Sequence, residues 1–196
     1  MKLAVIGAGV TGITSAYFLR QSGHEVTVID ANMHPAMLAS HANGGQLSAS
    51  NSEVWNSWAN VAKGIAWSFK RDAPLKMRYD LDFAKYKWLI QFMANIKHAK
   101  ENTMTTTEMA MHSIRIMRTE FEDIEYDRSD CGIMHIYKNE KDYNHAKKVN
   151  EIYKAGGLHR SVINENMIKL KEPRLEAKGL VGGMYTSYDG VGDIHK

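Results

Sequence analysis

Apolar positions along the chain change their spacing several times, and each change marks an element. Leu3, Ala4, Val5 and Ile6 form a short continuous apolar run. That is the pattern of a strand buried on both faces, as in a parallel sheet. From about Val10 to Ser22 the spacing becomes helical, with Ile13, Ala16, Tyr17 and Leu19 on the inward side and Gly23 placed to end the helix. Residues 25–30 return to a strand pattern through Val26, Val28 and Ile29. Residues 31–52 lose periodicity and contain Pro35, Gly44 and Gly45, so they read as irregular.

Longer helical periods follow. Trp55, Trp58, Ala62, Ile65, Ala66 and Phe69 predict a helix over 53–69, and Pro74 marks a loop over 71–80. Phe83, Trp88, Leu89, Phe92, Met93 and Ile96 predict a second helix over 81–99. Met109, Ile116, Met117, Phe121 and Ile124 predict a third from about Thr105 to Tyr126, with Asn102 and Thr103 as candidate caps. The remainder reads as a strand over 131–137, a helix over 142–154 ending at Gly156-Gly157, and a strand over 158–163. A short helix follows, capped by Asn164 and stopped by Pro173, then a strand over 179–186 and a turn-rich stretch over 188–192. There is no internal repeat and no low-complexity segment.

The join between the first strand and the first helix carries chemistry. Gly7-Ala8-Gly9-Val10-Thr11-Gly12 is a G-x-G-x-x-G turn. Gly7 permits the tight turn, Gly9 lets backbone approach a pyrophosphate, and Gly12 lets the helix pack close. The N–H groups at the helix start and the positive end of its dipole favour a diphosphate. Asp30 lies 18 residues after Gly12, at the end of the second strand. There it can accept hydrogen bonds from an adenosine ribose, and it would repel a 2′-phosphate, which argues against NADP.

Composition narrows the remaining classes. The chain has 196 residues, 44% hydrophobic and 24% charged, which suits a globular domain or parts of two. A net charge of +3 is too small to argue for nucleic acid, and no nucleic-acid module motif is present. The single cysteine, Cys131, allows no internal disulfide, so a reducing compartment is the expectation. Neither a signal peptide nor an apolar run long enough to span a bilayer is expected. The nine histidines show no ligand spacing, and Glu108 and His112 lack a second histidine, so no metal site is expected.

Two stretches offer candidate chemistry beyond the glycine turn. The loop after Asp30 is rich in small residues (Ala36, Ala39, Ser40, Ala42, Asn43, Ser48), which lets backbone approach a flat ligand. His41 within it is a conceivable base, although a lone loop histidine is more often solvated or packed. Between Trp55 and Trp88, tryptophans alternate with Lys63, Lys70, Arg71, Lys76, Arg78, Lys85 and Lys87. The favoured reading is a helical core with a solvated basic rim; should the stretch have a role, a membrane surface fits better than nucleic acid.

The order of elements discriminates between cofactors. A doubly wound nicotinamide enzyme should supply a third parallel strand soon after Asp30, yet about a hundred mainly helical residues intervene. Two-domain flavoproteins interrupt the nucleotide fold in that way, so FAD is preferred over NAD. The segments 2–17 (KLAVIGAGVTGITSAY), 23–30 (GHEVTVID), 40–48 (SHANGGQLS), 63–75 with Trp67, 131–137, Glu172-Pro173, Gly182-Gly183 and Gly192-Asp193 resemble the FAD-dependent D-amino-acid oxidase superfamily. Within it they are most similar to the bacterial D-amino-acid dehydrogenase small subunits, of which they cover about the first half.

The resemblance implies an α/β fold, α+β overall: a Rossmann-like FAD-binding βαβ unit, a mainly helical insertion and part of a mixed-sheet substrate domain, incomplete. The implied division is 1–50 for the start of the FAD-binding domain, 51–190 for the insertion and partial substrate domain, and 191–196 for a return to the FAD domain. FAD would lie against Leu3, Ala4, Val5, Ile6, Gly7, Ala8, Gly9, Val10, Thr11, Gly12, Ile13, Thr14, Ser15, Ala16, Tyr17 and Asp30. Ser40, Asn43, Gly44 and Gln46 would run beside the flavin. The implied reaction is hydride transfer from the Cα of a D-amino acid to the flavin, then hydrolysis to a 2-oxo acid and ammonia. Electrons would leave to an acceptor, a membrane quinone being the candidate, from a protein in the cytoplasm or peripheral on the inner face of the cell membrane. A glycine- or sarcosine-type amine oxidase and a non-catalytic remnant are the alternatives. No catalytic residue is assigned; Tyr185 and Tyr188 are candidates for a substrate site, more often half-buried surface. The isolated chain is expected to be poorly stable and inactive, because a sheet without its later strands exposes edges and apolar faces.

Overall fold

A computed structural model describes residues 1–74, 80–176 and 178–196. Leu75, Lys76 and Arg78 therefore lie outside the described residues. In chain order the elements are β1 (Lys2–Ile6), α1 (Val10–Gln21), β2 (Glu25–Ile29), β3 (Gln46–Leu47), α2 (Trp58–Ser68), α3 (Phe83–Ala94) and α4 (Ala99–Thr119). There follow β4 (Ile133–Tyr137), α5 (Glu140–Ala155), β5 (Ser161–Ile163), α6 (Glu165–Lys171), β6 (Gly182–Thr186) and β7 (Gly190–Val191). The chain divides into two compact units: Met1–Ser48 with Thr119–Gly132 and Ser187–Lys196, and Ala49–Arg118 with Ile133–Thr186.

The first unit opens with β1 and β2 paired in parallel, Lys2 opposite Glu25 through Ile6 opposite Ile29. Gly23, at φ 83°, turns the chain from α1 into β2, and its N–H donates to the Arg20 carbonyl at 2.9 Å. Ala16 and Leu19 are half-buried as expected, but Ile13 and Tyr17 are not inward. With two strands beneath it, α1 has too narrow a sheet to cover its whole apolar side, and it buries no residue fully. Tyr17 packs instead beside Phe121, ring centroids 5.0 Å apart. Ile6 is 88% exposed for the same lack of a covering layer. Two stretches that read as irregular in sequence pair with each other: Gln46 and Leu47 of β3 lie antiparallel to Val191 and Gly190 of β7.

The second unit has a side-chain core. Strands β4, β6 and β5 lie side by side in that order, every pair antiparallel. One cluster gathers Ala49, Ile114, Val149, Tyr153 and Leu158; a second Tyr143, Ala146 and Met184; a third Ile163 and Ile168. Helix α5 starts where the Asn139 side chain accepts the Asp142 N–H, and α6 where Asn164 accepts the Met167 N–H.

Two expectations fail here. The third helix runs over Ala99–Thr119 rather than from Thr105 to Tyr126, so Asn102 and Thr103 are internal, not caps. The threonines do not break it, because Thr106 and Thr107 return their hydroxyls to the carbonyls of Asn102 and Thr103. The reading of α2 and α3 as a helical core also fails: neither helix buries a residue fully, and Trp58, Ile65, Phe83 and Ile90 are all exposed.

Candidate functional site

The glycine turn and the end of β2 form one hydrogen-bonded assembly. Gly7 donates its N–H to the Ile29 carbonyl at 2.7 Å, extending the parallel ladder by one rung. The next N–H, of Ala8, donates to Asp30 Oδ2 at 2.7 Å. The other carboxylate oxygen, Oδ1, accepts from the Asn32 backbone at 2.8 Å and its side-chain amide at 2.9 Å. These donors, Ala8 first, hold the Asp30 carboxyl below the usual carboxylate range. Asp30 is thus ionised at neutral pH and fixed at the mouth of the turn, with its side chain on the surface.

The helix start is open to an anion. Gly9 is the N-cap of α1 and contributes no capping side chain, and the first turn contains no acidic residue. Its N–H groups thus lack the side-chain acceptor that usually satisfies them. Among the described residues, Val10 N–H does find one, donating to Ser40 Oγ at 3.1 Å. Ser40 reaches that point because the loop after β2 folds back, Ala36 donating its N–H to the Ala8 carbonyl at 2.9 Å. A Cβ on Gly12 would lie 1.8 Å from the Gly7 carbonyl oxygen, so α1 approaches the turn closer than any side chain allows. A Cβ on Gly9 would meet only Ser40 Oγ, at 3.3 Å. The two glycines therefore do different work: Gly12 closes the fold, whereas Gly9 leaves an open approach to the N–H groups.

Of the residues expected beside a flavin, Ser40 sits at this helix start, whereas Asn43, Gly44 and Gln46 sit in a second place within the same unit. A cleft of about 390 Å³ is lined by residues 41–45, Asp127 and residues 191–194. Asn43 and Gly44 line it, and Asn43 Oδ1 accepts the Gly45 N–H at 2.7 Å. Gly45, at φ 57°, carries its carbonyl to the Gly192 N–H at 2.8 Å, and a Cβ on it would lie 2.5 Å from the Gly192 oxygen. Gln46 heads β3 opposite Val191. The His41 ring meets the His195 ring edge-on, centroids 4.4 Å apart, which is a packing contact.

Of the remaining predicted residues, Leu3 and Val5 are half-buried on β1, while Ala4 and Ile6 take the exposed alternate positions. Thr11, Ile13, Ser15 and Tyr17 are exposed on α1; Thr14 and Ala16 are half-buried. Tyr185 lies on β6 with the Lys171 ammonium 3.5 Å above its ring, and Tyr188 is exposed in the first unit. Sequence reasoning missed Asp189, which is fully buried and accepts from Ser48 Oγ at 2.9 Å, and Tyr126, whose ring packs against Gly192. The Asp189-Gly190 and Gly192-Asp193 pairs were the available signal, since such pairs mark tight backbone geometry. Among the described residues no group of histidine, cysteine, aspartate and glutamate could hold a metal ion, and no helix is long and apolar enough to cross a membrane.

Comparison with known proteins extends this picture. The sequence profile of the FAD dependent oxidoreductase family, DAO, matches residues 2–196. D-amino acid dehydrogenase 3 of Mesorhizobium japonicum is 45% identical over 199 residues, spanning 100% of this chain and 48% of its own length. The D-amino acid dehydrogenase of Paramagnetospirillum magneticum is 37% identical, again over 100% of this chain and 48% of its own. The chain therefore spans about half the length of the curated relatives it matches. Among solved structures, L-proline dehydrogenase from P. horikoshii superposes with TM-score 0.68 at 16% identity, covering 98% of this chain and 38% of that one. L-alpha-glycerophosphate oxidase from Mycoplasma pneumoniae, solved with FAD bound, superposes with TM-score 0.59 at 16% identity, covering 97% and 38%. At such identities the likeness is one of fold.

Proposed function

Since this chain belongs to the FAD dependent oxidoreductase family, we propose that it forms the ADP-binding part of an FAD-dependent D-amino-acid dehydrogenase. The single observation that carries this reading is the glycine turn: an uncapped helix start beside an ionised Asp30 that is locked to it through Ala8. These residues fit the ADP portion of FAD. The N–H groups at the start of α1 would hold the diphosphate, and Asp30 would accept from the ribose. Ser40 Oγ would exchange its bond to the Val10 N–H for one to the ligand. Leu3–Ile6 and Val10–Tyr17 would serve as the strand and helix that frame the nucleotide, while Asn43, Gly44 and Gln46 would border the flavin.

Bound FAD would supply the two-electron acceptor that this chain's own side chains lack. The substrate class follows the relatives' names: a D-amino acid, oxidised at Cα and released as a 2-oxo acid and ammonia. The electrons would pass to a membrane quinone from a protein peripheral to the inner face of the cell membrane.

The nucleotide is tested by equilibrium dialysis of the purified chain against FAD, NAD and NADP. Retention of FAD alone is expected; retention of NAD without FAD would overturn the reading. The substrate class is tested by fusing this chain to the C-terminal portion of the Mesorhizobium relative and assaying dye reduction. D-alanine is expected to drive it faster than L-alanine, glycine or sarcosine.

A further inference from the structure

The helices α2 and α3 carry features that the nucleotide site does not use. On α2, Trp58 and Ile65, seven residues apart, and Phe69 at its C-cap lie on one helical side, exposed by 63%, 59% and 84%. On α3, Phe83, Tyr86 and Ile90 recur at helical spacing and are exposed too. An apolar stripe on a helix is ordinarily its buried side; here it is the bare side. An aromatic cluster holds the segment just before α2 against α3, Trp55 to Phe92 at 4.8 Å, with Trp88 stacked on Phe92 within α3 at 5.3 Å.

Two properties of the sequence say what would cover such a surface. All four tryptophans of the chain, Trp55, Trp58, Trp67 and Trp88, fall in this stretch. Tryptophan concentrates where an apolar region meets water, above all at the boundary of a bilayer. Residues 58–100 also hold nine lysines and arginines against three aspartates, a net +6, so the rest of the chain with its total of +3 is net −3. Lys63, Lys70, Arg71 and Lys87 are exposed within the same stretch. An apolar stripe destined for a protein core needs no such excess of cations, whereas an anionic lipid surface attracts it.

We propose that α2 and α3 form a docking face for an anionic lipid bilayer surface. Trp58, Ile65, Phe69, Phe83 and Ile90 enter the boundary between headgroups and acyl chains, and Lys63, Lys70, Arg71 and Lys87 pair with the headgroups. This inference rests on the proposed function only for its purpose, which is to bring a flavin-dependent dehydrogenase to an acceptor dissolved in the membrane.

The test is flotation of the purified chain with phosphatidylcholine vesicles made with and without phosphatidylglycerol, read alongside tryptophan emission. The chain is expected to float with the anionic vesicles, with its emission shifted to the blue, and not with the neutral ones. Removing three charges in K63Q/K70Q/R71Q is expected to weaken binding roughly a hundredfold, at about fivefold per cation. W58S/F69S is expected to remove the blue shift. Equal flotation with neutral vesicles, or undiminished flotation of K63Q/K70Q/R71Q, overturns the proposal. So does a chain that stays unbound, including one that self-associates through this face and is made monomeric by W58S/F69S. FAD uptake is measured on the same samples: a chain that retains FAD but does not float sinks the docking face alone. One that floats without FAD sinks the nucleotide reading alone.

Discussion

In the first unit the glycine turn and the β3–β7 pair are joined by backbone approaches: the Gly7 carbonyl against Gly12, Gly45 against Gly192, and Ala8 N–H on the Asp30 carboxylate. In the second the packing is made by side chains, with Tyr153, Leu158, Ile163, Ile168 and Met184 all sealed from solvent. Ala8 and Tyr126 are the buried hydrophobics of the first unit, and a buried alanine contributes little apolar area. The first unit is therefore held largely by glycines whose Cβ would overlap backbone, the second by buried side chains packed onto its own close glycines, Gly182 and Gly183. The first arrangement leaves polar backbone groups facing outward for a ligand; the second turns buried polar side chains onto its own chain, Thr107 on the Thr103 carbonyl and Arg160 on Asn150.

The largest effect that would sharpen this contrast is Gly12→Val. Its Cβ would overlap a backbone oxygen 1.8 Å away. Amide protection across β1 and β2 should be lost while α5 and β6 keep theirs, as read by hydrogen exchange. Protection retained in β1 would break the comparison. Leu158→Ala is the counterpart in the second unit, since Leu158 is fully buried within its largest cluster. It should cost about 2–5 kcal/mol in urea unfolding of that unit, without altering exchange in β1 and β2.

A pair of tyrosines sharpens it further. The Tyr153 hydroxyl donates to the Ser50 carbonyl at 3.0 Å and accepts the Glu53 N–H at 3.1 Å, and burial pushes its pKa up, which keeps the proton in place. Tyr153→Phe should cost about 1–2 kcal/mol, because it removes the buried hydroxyl that joins the Ser50 carbonyl to the Glu53 N–H. The Tyr126 hydroxyl is buried with no hydrogen-bond partner among the described residues. Tyr126→Phe should therefore be neutral or mildly stabilising by thermal melting. Equal losses at the two positions would contradict the distinction.

The smallest effect concerns pH. The folded pKa of Asp30 is depressed by Ala8 and Asn32, so its contribution is fully present above the unfolded value, near 4. It is lost as pH falls below that, through the folded pKa. An NMR titration should place the Asp30 midpoint below that of an exposed aspartate, and Asp30→Asn should abolish the acid-dependent change in Ala8 amide exchange. A midpoint at or above the ordinary value would remove the lock on the turn.

The same contrast explains what the sequence made legible. β1, the glycine turn, α1 and β2 are specified within thirty consecutive residues, by periodicity and by glycines whose purpose is local, and their predicted bounds match the structure to within a residue. The pairing of β3 with β7 is two residues long and joins segments far apart in the chain, so no local pattern announced it. The period of α2 and α3 was correctly read as helical, but period identifies an apolar side without revealing what covers it. The bounds of α4 were misread because Thr103 and its neighbours look like caps, whereas tertiary burial of Thr103 and Thr107 keeps them inside the helix. At the site, Asp30 and Gly9 followed from spacing. Ser40 on the Val10 N–H needed the fold-back of the loop to become visible.

The most direct measurement is FAD affinity of the Gly9→Ala chain beside the unaltered one, with β1 and β2 exchange recorded on both. A methyl group there meets only Ser40 Oγ, at 3.3 Å, so exchange should be unchanged while FAD binding weakens roughly tenfold or more through lost N–H contacts to the diphosphate. Unaltered FAD affinity in a folded Gly9→Ala chain would contradict the placement of the diphosphate at this turn.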